Sequence, residues 1–576
     1  MQNDLSDTTG FDRRALVRLQ WAFRAAIAAL ALVECWIARF SLNFDGVFYL
    51  DMGDQYWKGN WHAALNPYWS PLYSWLTGLM FRLTKPSMRW EFPEVHLLNF
   101  TILVAALFCF EFFWRELLAM SDEGTRAVAS GQYSWALGYL LFTYLYLESF
   151  YTNHGDTLVG IVTPDLIVAA IMFLIFGMIL QFTAGRKGIA FAGLMGFVFG
   201  IGYLAKTAMF PFGFAVLATM LGVAWKRRSG IWLTAIALIC FLATSAPFIA
   251  AISWNNHRFT FGDSGKMNIA WHVNGTKPMY FHWQGDAKSR ALHPTRRILR
   301  WPEVYEFAFP VSGTYPVFYD PTYWWAGVDT RMSLAGEIAC LKTNAMTIGF
   351  YFVGPAGILT AIVLLMFFQA DGITDFWKQL IRFIPILVPS AVVFLMYAML
   401  IWEPRYTSAA MLAVLGALIA STRISDQTRR TMVLRSASFT LALMVVILSL
   451  QTIHKARTES PFWMKTVEAT EEMRAMGIQA GESVALIGDA FPSDGLTNLD
   501  LARLDHVRII AEVPHSWERG DSATAFWNQD SAGQQIVLAA LKNAGAKVVI
   551  ANLLPLKLPP GWAPVGGTGY AVFFFR

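Results

Sequence analysis

Four charged residues stand where a membrane chain seldom keeps charge: Asp45, Asp165, Lys206 and Arg405 each fall at the edge of a long apolar run. Asp45, in LNFDGVFYLDMGDQYW, comes directly after the first run and beside Gly46, whose missing side chain lets a ligand approach the backbone. An acid this close to lipid is a functional candidate by default. Asp165, in VTPDLIVAA, heads another run behind Pro164. Proline and an acid are ordinary helix-start devices, yet a carboxylate followed by so many apolar residues also needs a wet cavity to face. Lys206 in GYLAKTAMFPF and Arg405 in WEPRYTS either pair with an acid as structural glue or hold an anionic group, Arg through its fork and Lys as a point charge. A carboxylate that takes a proton, opposite cations that hold charge on a departing group, is the residue set for a displacement with an anionic leaving group.

Other polar residues crowd the same edges. Tyr49 lies one helical turn after Asp45, and Asp51 and Asp54 share a helix face whose interleaved Tyr and Trp suit a membrane interface. The plain reading of Asp51 and Asp54 is solvated carboxylates on an interfacial helix. His154 and Asp156 fall in FYTNHGDTLVG, and Tyr406 follows Arg405. Arg258, Lys266 and His272 lie in the segment from Trp254 to Asn344, which is rich in Trp, Tyr, Asp and Arg. Unstructured connections beyond about 12 to 15 residues are uncommon, so this segment reads as a substrate-handling surface. Its aromatic rings suit either sugar stacking or packing on the membrane. Tyr49, His154, Asp156, Arg258, Lys266 and Tyr406 are the substrate-binding candidates.

The elements that must carry these residues are helices in lipid. Of 576 residues, 55% are hydrophobic and 15% charged, well below the roughly 25% charge of soluble domains. The net charge of +5 is spread over short clusters between apolar runs, which argues against a nucleic-acid binder. Cys35, Cys109 and Cys240 fall inside apolar runs and Cys340 in a polar one, so neither a disulfide framework nor a thiolate metal site is expected. At about 20 residues per span, the apolar runs near 21–41, 95–115, 133–151, 163–183, 188–205, 208–225, 231–253, 346–368, 382–402, 406–422 and 436–453 predict about eleven transmembrane helices. The first is read as a retained span, being too long for a signal-peptide core. With that alternation, Arg115, Arg126, Arg186, Lys187, Lys226, Arg227, Arg228, Lys378, Arg382, Arg423, Arg429, Arg430 and Arg435 share one side, the cytoplasmic one by the positive-inside rule. Residues 1–454 thus read as a transmembrane domain with outward loops 42–93 and 254–344. Residues 455–576 carry the β-type runs SVALIGD, VRIIAEVP, AKVVIAN and YAVFFF among helix-compatible stretches, predicting a small extracytoplasmic α/β domain. That tail has no G-x-G-x-x-G or P-loop cradle.

The order of Asp45 after the first span, Pro164-Asp165 at the fourth, GYLAKT on a middle span and E-P-R-Y late in the chain resembles the membrane-integral GT-C glycosyltransferases, among them protein O-mannosyltransferases and the lipid A aminoarabinose transferase. The resemblance covers about residues 15–453. It implies a hexosyl- or pentosyltransferase of the bacterial inner membrane with its active site on the periplasmic side. Such an enzyme moves a sugar from a polyprenyl-phosphate donor to a cell-envelope glycan, lipid or protein, usually with inversion. By that resemblance Asp45 and Asp165 are the catalytic acids, and Lys206 and Arg405 partners of the donor phosphate. The sequence departs from the Asp-Glu of protein mannosyltransferases, having Asp45-Gly46, and it carries no outward D-x-D of the oligosaccharyltransferase kind, so no metal or other cofactor is expected. Because a phosphate leaves already ionised, no strong general acid is required, unlike the two-carboxyl arrangement of glycoside hydrolysis. A lipid-linked glycan flippase or secondary transporter is the alternative. Transporters usually show paired halves with broken helices, and no such pairing is found here. An inactive assembly subunit is favoured if Asp45 and Asp165 lie far apart.

Overall fold

A computed structural model describes residues 13–575 apart from 121–131, 150–157, 187, 276–294, 308–312, 321–322, 324–329, 354–356, 459, 491–497, 517–519 and 553. Each apolar run falls on helix, and seven helices among the described residues are long and apolar enough to cross a membrane. The chain is a multi-pass membrane protein with a small sheet towards its C-terminus. Asp165–Ala184 is the most enclosed of these helices, with apolar side chains buried all round it, as expected for a helix surrounded by other helices. Helix Ile189–Ala205 crosses Ile231–Asn255 closely. A Cβ on Gly196 would stand 2.0 Å from the Ala237 carbonyl oxygen, the kind of small-residue contact that lets membrane helices approach. Within the bundle Arg24 reaches Glu111 at 2.5 Å, and the Tyr139 hydroxyl donates to the same carboxylate at 2.8 Å.

The sheet is seven-stranded, ordered β1-β2-β4-β3-β7-β9-β8, with β1 Arg296–Arg300, β2 Glu303–Glu306, β3 Ser483–Ile487, β4 Arg508–Val513, β7 Val548–Ala551, β8 Trp562–Val565 and β9 Tyr570–Phe574. β3 runs parallel to both β4 and β7, while a separate hairpin joins β5 His515–Ser516 to β6 Gly520–Asp521. The four runs expected as strands in the tail are β3, β4, β7 and β9. The first two strands of the sheet come instead from segment 254–344: β2 pairs antiparallel with β4, Phe307 N–H donates to the Ile510 carbonyl at 2.9 Å, and Ile509 N–H donates to that of Thr314 at 2.9 Å. β1 is the edge, and its Arg296 and Arg297 pair with Glu306 and Glu303 across the hairpin. Charged, short edge strands resist pairing with other chains. Segment 254–344 and the tail therefore make one sheet.

Helices Ser460–Ala475 and Asn498–Asp505 cover the face of the sheet that joins the membrane core, and Ser522–Trp527 with Ser531–Asn543 cover the other. Asp489, just past β3, accepts the His515 N–H at 2.9 Å, yet burial pushes its carboxyl up to about 6. Its unfolded value is about 3.9. Between about pH 4 and 6 the folded protein therefore binds the extra proton, and stability falls as pH rises through that window. Asp489→Asn should stabilise the sheet at pH 7 by about 1–2 kcal/mol and change nothing near pH 4. Equal unfolding of both proteins at pH 7, followed by hydrogen exchange in β3 and β4, would refute the burial account.

Candidate active site

Helix ends bring the separated charges to one place. Asp165 opens the enclosed helix at its first residue, Lys206 caps the C-terminal end of Ile189–Ala205, and Arg405 stands in the first turn of Pro404–Ser421. Lys206 Nζ lies 2.5 Å from Asp165 Oδ1, and Arg405 Nη1 lies 3.6 Å from Asp165 Oδ2. The Thr163 hydroxyl donates to Oδ2 at 2.9 Å. Tyr406 completes the cluster. Lys206 Nζ sits 3.4 Å from its ring centroid, a cation–π contact, and Arg405 Nη2 donates to its hydroxyl at 3.0 Å. Burial lowers the Lys206 pKa, with Asp165 opposing that shift. The buried Arg405 Nε has no hydrogen-bond partner among the described residues. The cluster therefore keeps an unused donor.

Asp45 acts on the same cations. It lies in the first turn of helix Phe44–Trp57, and Asn43, just before that helix, accepts the Val162 N–H on its Oδ1 at 2.7 Å. This bond ties the start of the helix to the chain that leads into Asp165. Asp45 and Asp165 act electrostatically on the same groups, namely the Lys206 ammonium and the Arg405 guanidinium. Burial and these two carboxylates together push the Tyr49 hydroxyl well above the ordinary tyrosine range. Both acids therefore act on one cluster of cations. Tyr49 packs edge-on against Trp69 and Tyr73 at 5.2 and 5.4 Å. Its side chain is buried.

No protein-family profile matches the chain, and no curated protein matches it. Among solved structures, ArnT from Cupriavidus metallidurans bound to undecaprenyl phosphate is 11% identical, covering 95% of this chain and 97% of that one with a TM-score of 0.39. The apo Archaeoglobus fulgidus oligosaccharyltransferase is 12% identical over 94% of this chain and 70% of that one, with a TM-score of 0.43. A. fulgidus AglB with an inhibitory peptide and a dolichol-phosphate is 12% identical over 92% and 69%, with a TM-score of 0.39. These neighbours are GT-C glycosyltransferases. At such identities and TM-scores the likeness assigns no substrate and no residue role.

Of the remaining candidates, His154 and Asp156 lie outside the described residues. Arg258 is exposed and bonds the buried Asp263, which also accepts from the Thr260 hydroxyl at 3.0 Å. Lys266 is exposed on the short helix Ser264–Asn268. Neither is held to the Asp165 cluster by any recorded contact. Asp51, read from sequence as a solvated carboxylate, is instead 3% exposed and bound by Arg503 at 2.7 Å. Two partners separated so far along the chain leave no local pattern, so only the fold reveals the pair. Among the described residues, no group of three or more His, Cys, Asp or Glu side chains is disposed to hold a metal ion.

Proposed function

We propose that this protein transfers a sugar from a polyprenyl-phosphate donor to an extracytoplasmic cell-envelope acceptor, with inversion, and that Asp45 is the general base. The observation that carries the reading is the disposition of charge at the cluster. Lys206 and Arg405 both lean on Asp165 while Arg405 keeps a buried Nε–H for another acceptor, and Asp45 stands near enough to act on both cations. The oxygens of Asp165 are already engaged by Lys206, Arg405 and the Thr163 hydroxyl. Asp165 thus fits the part of a charge partner that holds Lys206 and Arg405 in place. In the proposed step Asp45 takes the acceptor hydroxyl proton, the oxygen bonds to the anomeric carbon, and the sugar–phosphate C–O bond breaks. The electron pair leaves on the phosphate, which Lys206 and Arg405 stabilise.

The deciding experiment presents the purified protein in lipid with radiolabelled hexosyl- and pentosyl-polyprenyl phosphates and an envelope extract. Label passing from lipid to acceptor supports the reading. Lipid-linked label that crosses the bilayer without changing carrier would make the protein a flippase.

The bacterial inner membrane and an outward-facing site are part of the same proposal, resting on the Lys/Arg bias of the loops. A cysteine introduced at Gly520 should react with an impermeant maleimide added to spheroplasts. Reaction only after the inner face is opened would reverse the orientation, and the site with it.

A further inference from the structure

Away from the charge cluster, one arginine of the tail reaches three acids of the membrane domain. Arg503 Nε donates to Glu91 Oε1 at 2.7 Å, and its Nη1 donates to Asp51 Oδ1 at 2.7 Å and Asp54 Oδ2 at 2.8 Å. The Arg503, Asp51 and Glu91 side chains are at most 4% exposed. Asp51 is held twice more, by the Thr314 N–H at 2.7 Å and its hydroxyl at 3.0 Å, while the Thr314 carbonyl accepts from Ile509 of β4. On the side of the tail, the Arg503 helix is seated by buried Leu499, Leu501 and Leu504, and Arg474 donates to Asp505 Oδ1 at 2.9 Å and to the Leu504 carbonyl at 2.6 Å. The arginine is thus a fixed post.

What it grips is the helix Phe44–Trp57. That helix is tied at its start by Asn43 to Val162 and at its middle by Asp51 and Asp54 to Arg503. Asp45 stands between the two ties, about 9 Å along the helix axis from Asp51 at 1.5 Å per residue. A carboxylate buried without its cation is costly enough to turn outward to water. Loss of Arg503 would therefore leave the middle of the helix to the Thr314 bonds on Asp51 and the packing of buried Val47, Phe48, Leu50 and Met52, loosening the register in which Asp45 is held.

We propose that Arg503 is a positioning residue: the tail holds the helix of Asp45 in register with Lys206 and Arg405, so the sheet is a working part of the active site. This rests on the transferase reading above, and the test separates the two. Arg503→Met removes the clamp. Arg503→Lys keeps a cation among the carboxylates but lacks the fork that reaches Glu91 and Asp51 together, which guards against a result due to misfolding alone. Full-length proteins in lipid nanodiscs are compared by hydrogen exchange over residues 44–57, by turnover and by affinity for undecaprenyl phosphate.

Amides of 44–57 should exchange about tenfold faster or more in Arg503→Met, with the helix Asp165–Ala184 unchanged. Turnover should fall about 10- to 100-fold, since misplacement of a reacting group by about 1 Å has effects of that size, while lipid-phosphate affinity holds. Arg503→Lys should fall between. Unchanged exchange over 44–57 in Arg503→Met overturns the clamp whatever the protein catalyses. Faster exchange with wild-type turnover overturns the positioning role. Equal loss of protection everywhere also overturns it, in favour of a general fold contact. A wild-type protein that transfers no sugar sinks the transferase reading, and the exchange result still decides the clamp.

Discussion

Asp45→Asn should lower sugar transfer by about 100-fold or more while leaving affinity for the lipid phosphate within about twofold. The substitution keeps the size and hydrogen-bonding shape of the side chain and removes its ability to accept the acceptor proton. Helix Phe44–Trp57 is anchored by Asn43, Asp51 and Asp54, none of which the change disturbs, so the site should stay assembled. The donor phosphate is assigned to Lys206 and Arg405, whose ion pairs to Asp165 the change leaves in place, which is why its affinity should survive. Transfer of labelled sugar by the purified variant, alongside its binding of undecaprenyl phosphate, measures both quantities. A variant that transfers at the wild-type rate removes Asp45 from catalysis. Asp165 would not then be a comfortable substitute, because its two oxygens already meet Lys206 and Arg405. A loss of transfer matched by an equal loss of phosphate binding would instead mean that Asp45 holds the cations.

The charge cluster was legible in the sequence because each member breaks a local rule. An acid or a cation at the end of an apolar run is conspicuous by itself, and the alternation of spans puts Asp45, Asp165, Lys206 and Arg405 on one side. The helices themselves follow from length and apolarity alone. What escaped were the contacts between the tail and the rest of the chain. Nothing near Arg503 in NLDLARLD announces Asp51. β1 and β2 escaped for a related reason: RRILR and EVYE are short and charged, and acquire their meaning only by extending β4. A strand at a sheet edge has neighbours on one side only, so its sequence need not carry the apolar run that betrays β3 or β7. Arg258 is a different case. It has the residue type expected of a phosphate partner, but its carboxylate partner Asp263 is close in sequence, and that local pair accounts for its place.

Neutralising either cation should weaken donor binding by about 1.5 to 3 kcal/mol, or roughly 10- to 150-fold, as expected for a charge-assisted contact to phosphate. Lys206→Met and Arg405→Gln are the informative changes, read as the dissociation constant for undecaprenyl phosphate. Both cations also pair with Asp165, and a purely structural ion pair predicts a different pattern. In that case each substitution would lower thermal stability by leaving Asp165 under-compensated in a largely buried position, while phosphate affinity would follow stability and recover together with it in Lys206→Met/Asp165→Asn. If the phosphate is the true ligand, the double variant should regain stability and still bind the lipid phosphate weakly. Arg405 carries the sharper version of the argument. Its Nη groups serve Asp165 and Tyr406, whereas its buried Nε has no acceptor among the described residues. A bound phosphate oxygen would supply one. Arg405→Lys, which keeps the charge and loses the fork, should therefore bind the phosphate more weakly than wild type by about tenfold, and wild-type affinity in that variant would show that charge alone, without the directed Nε–H, holds the ligand.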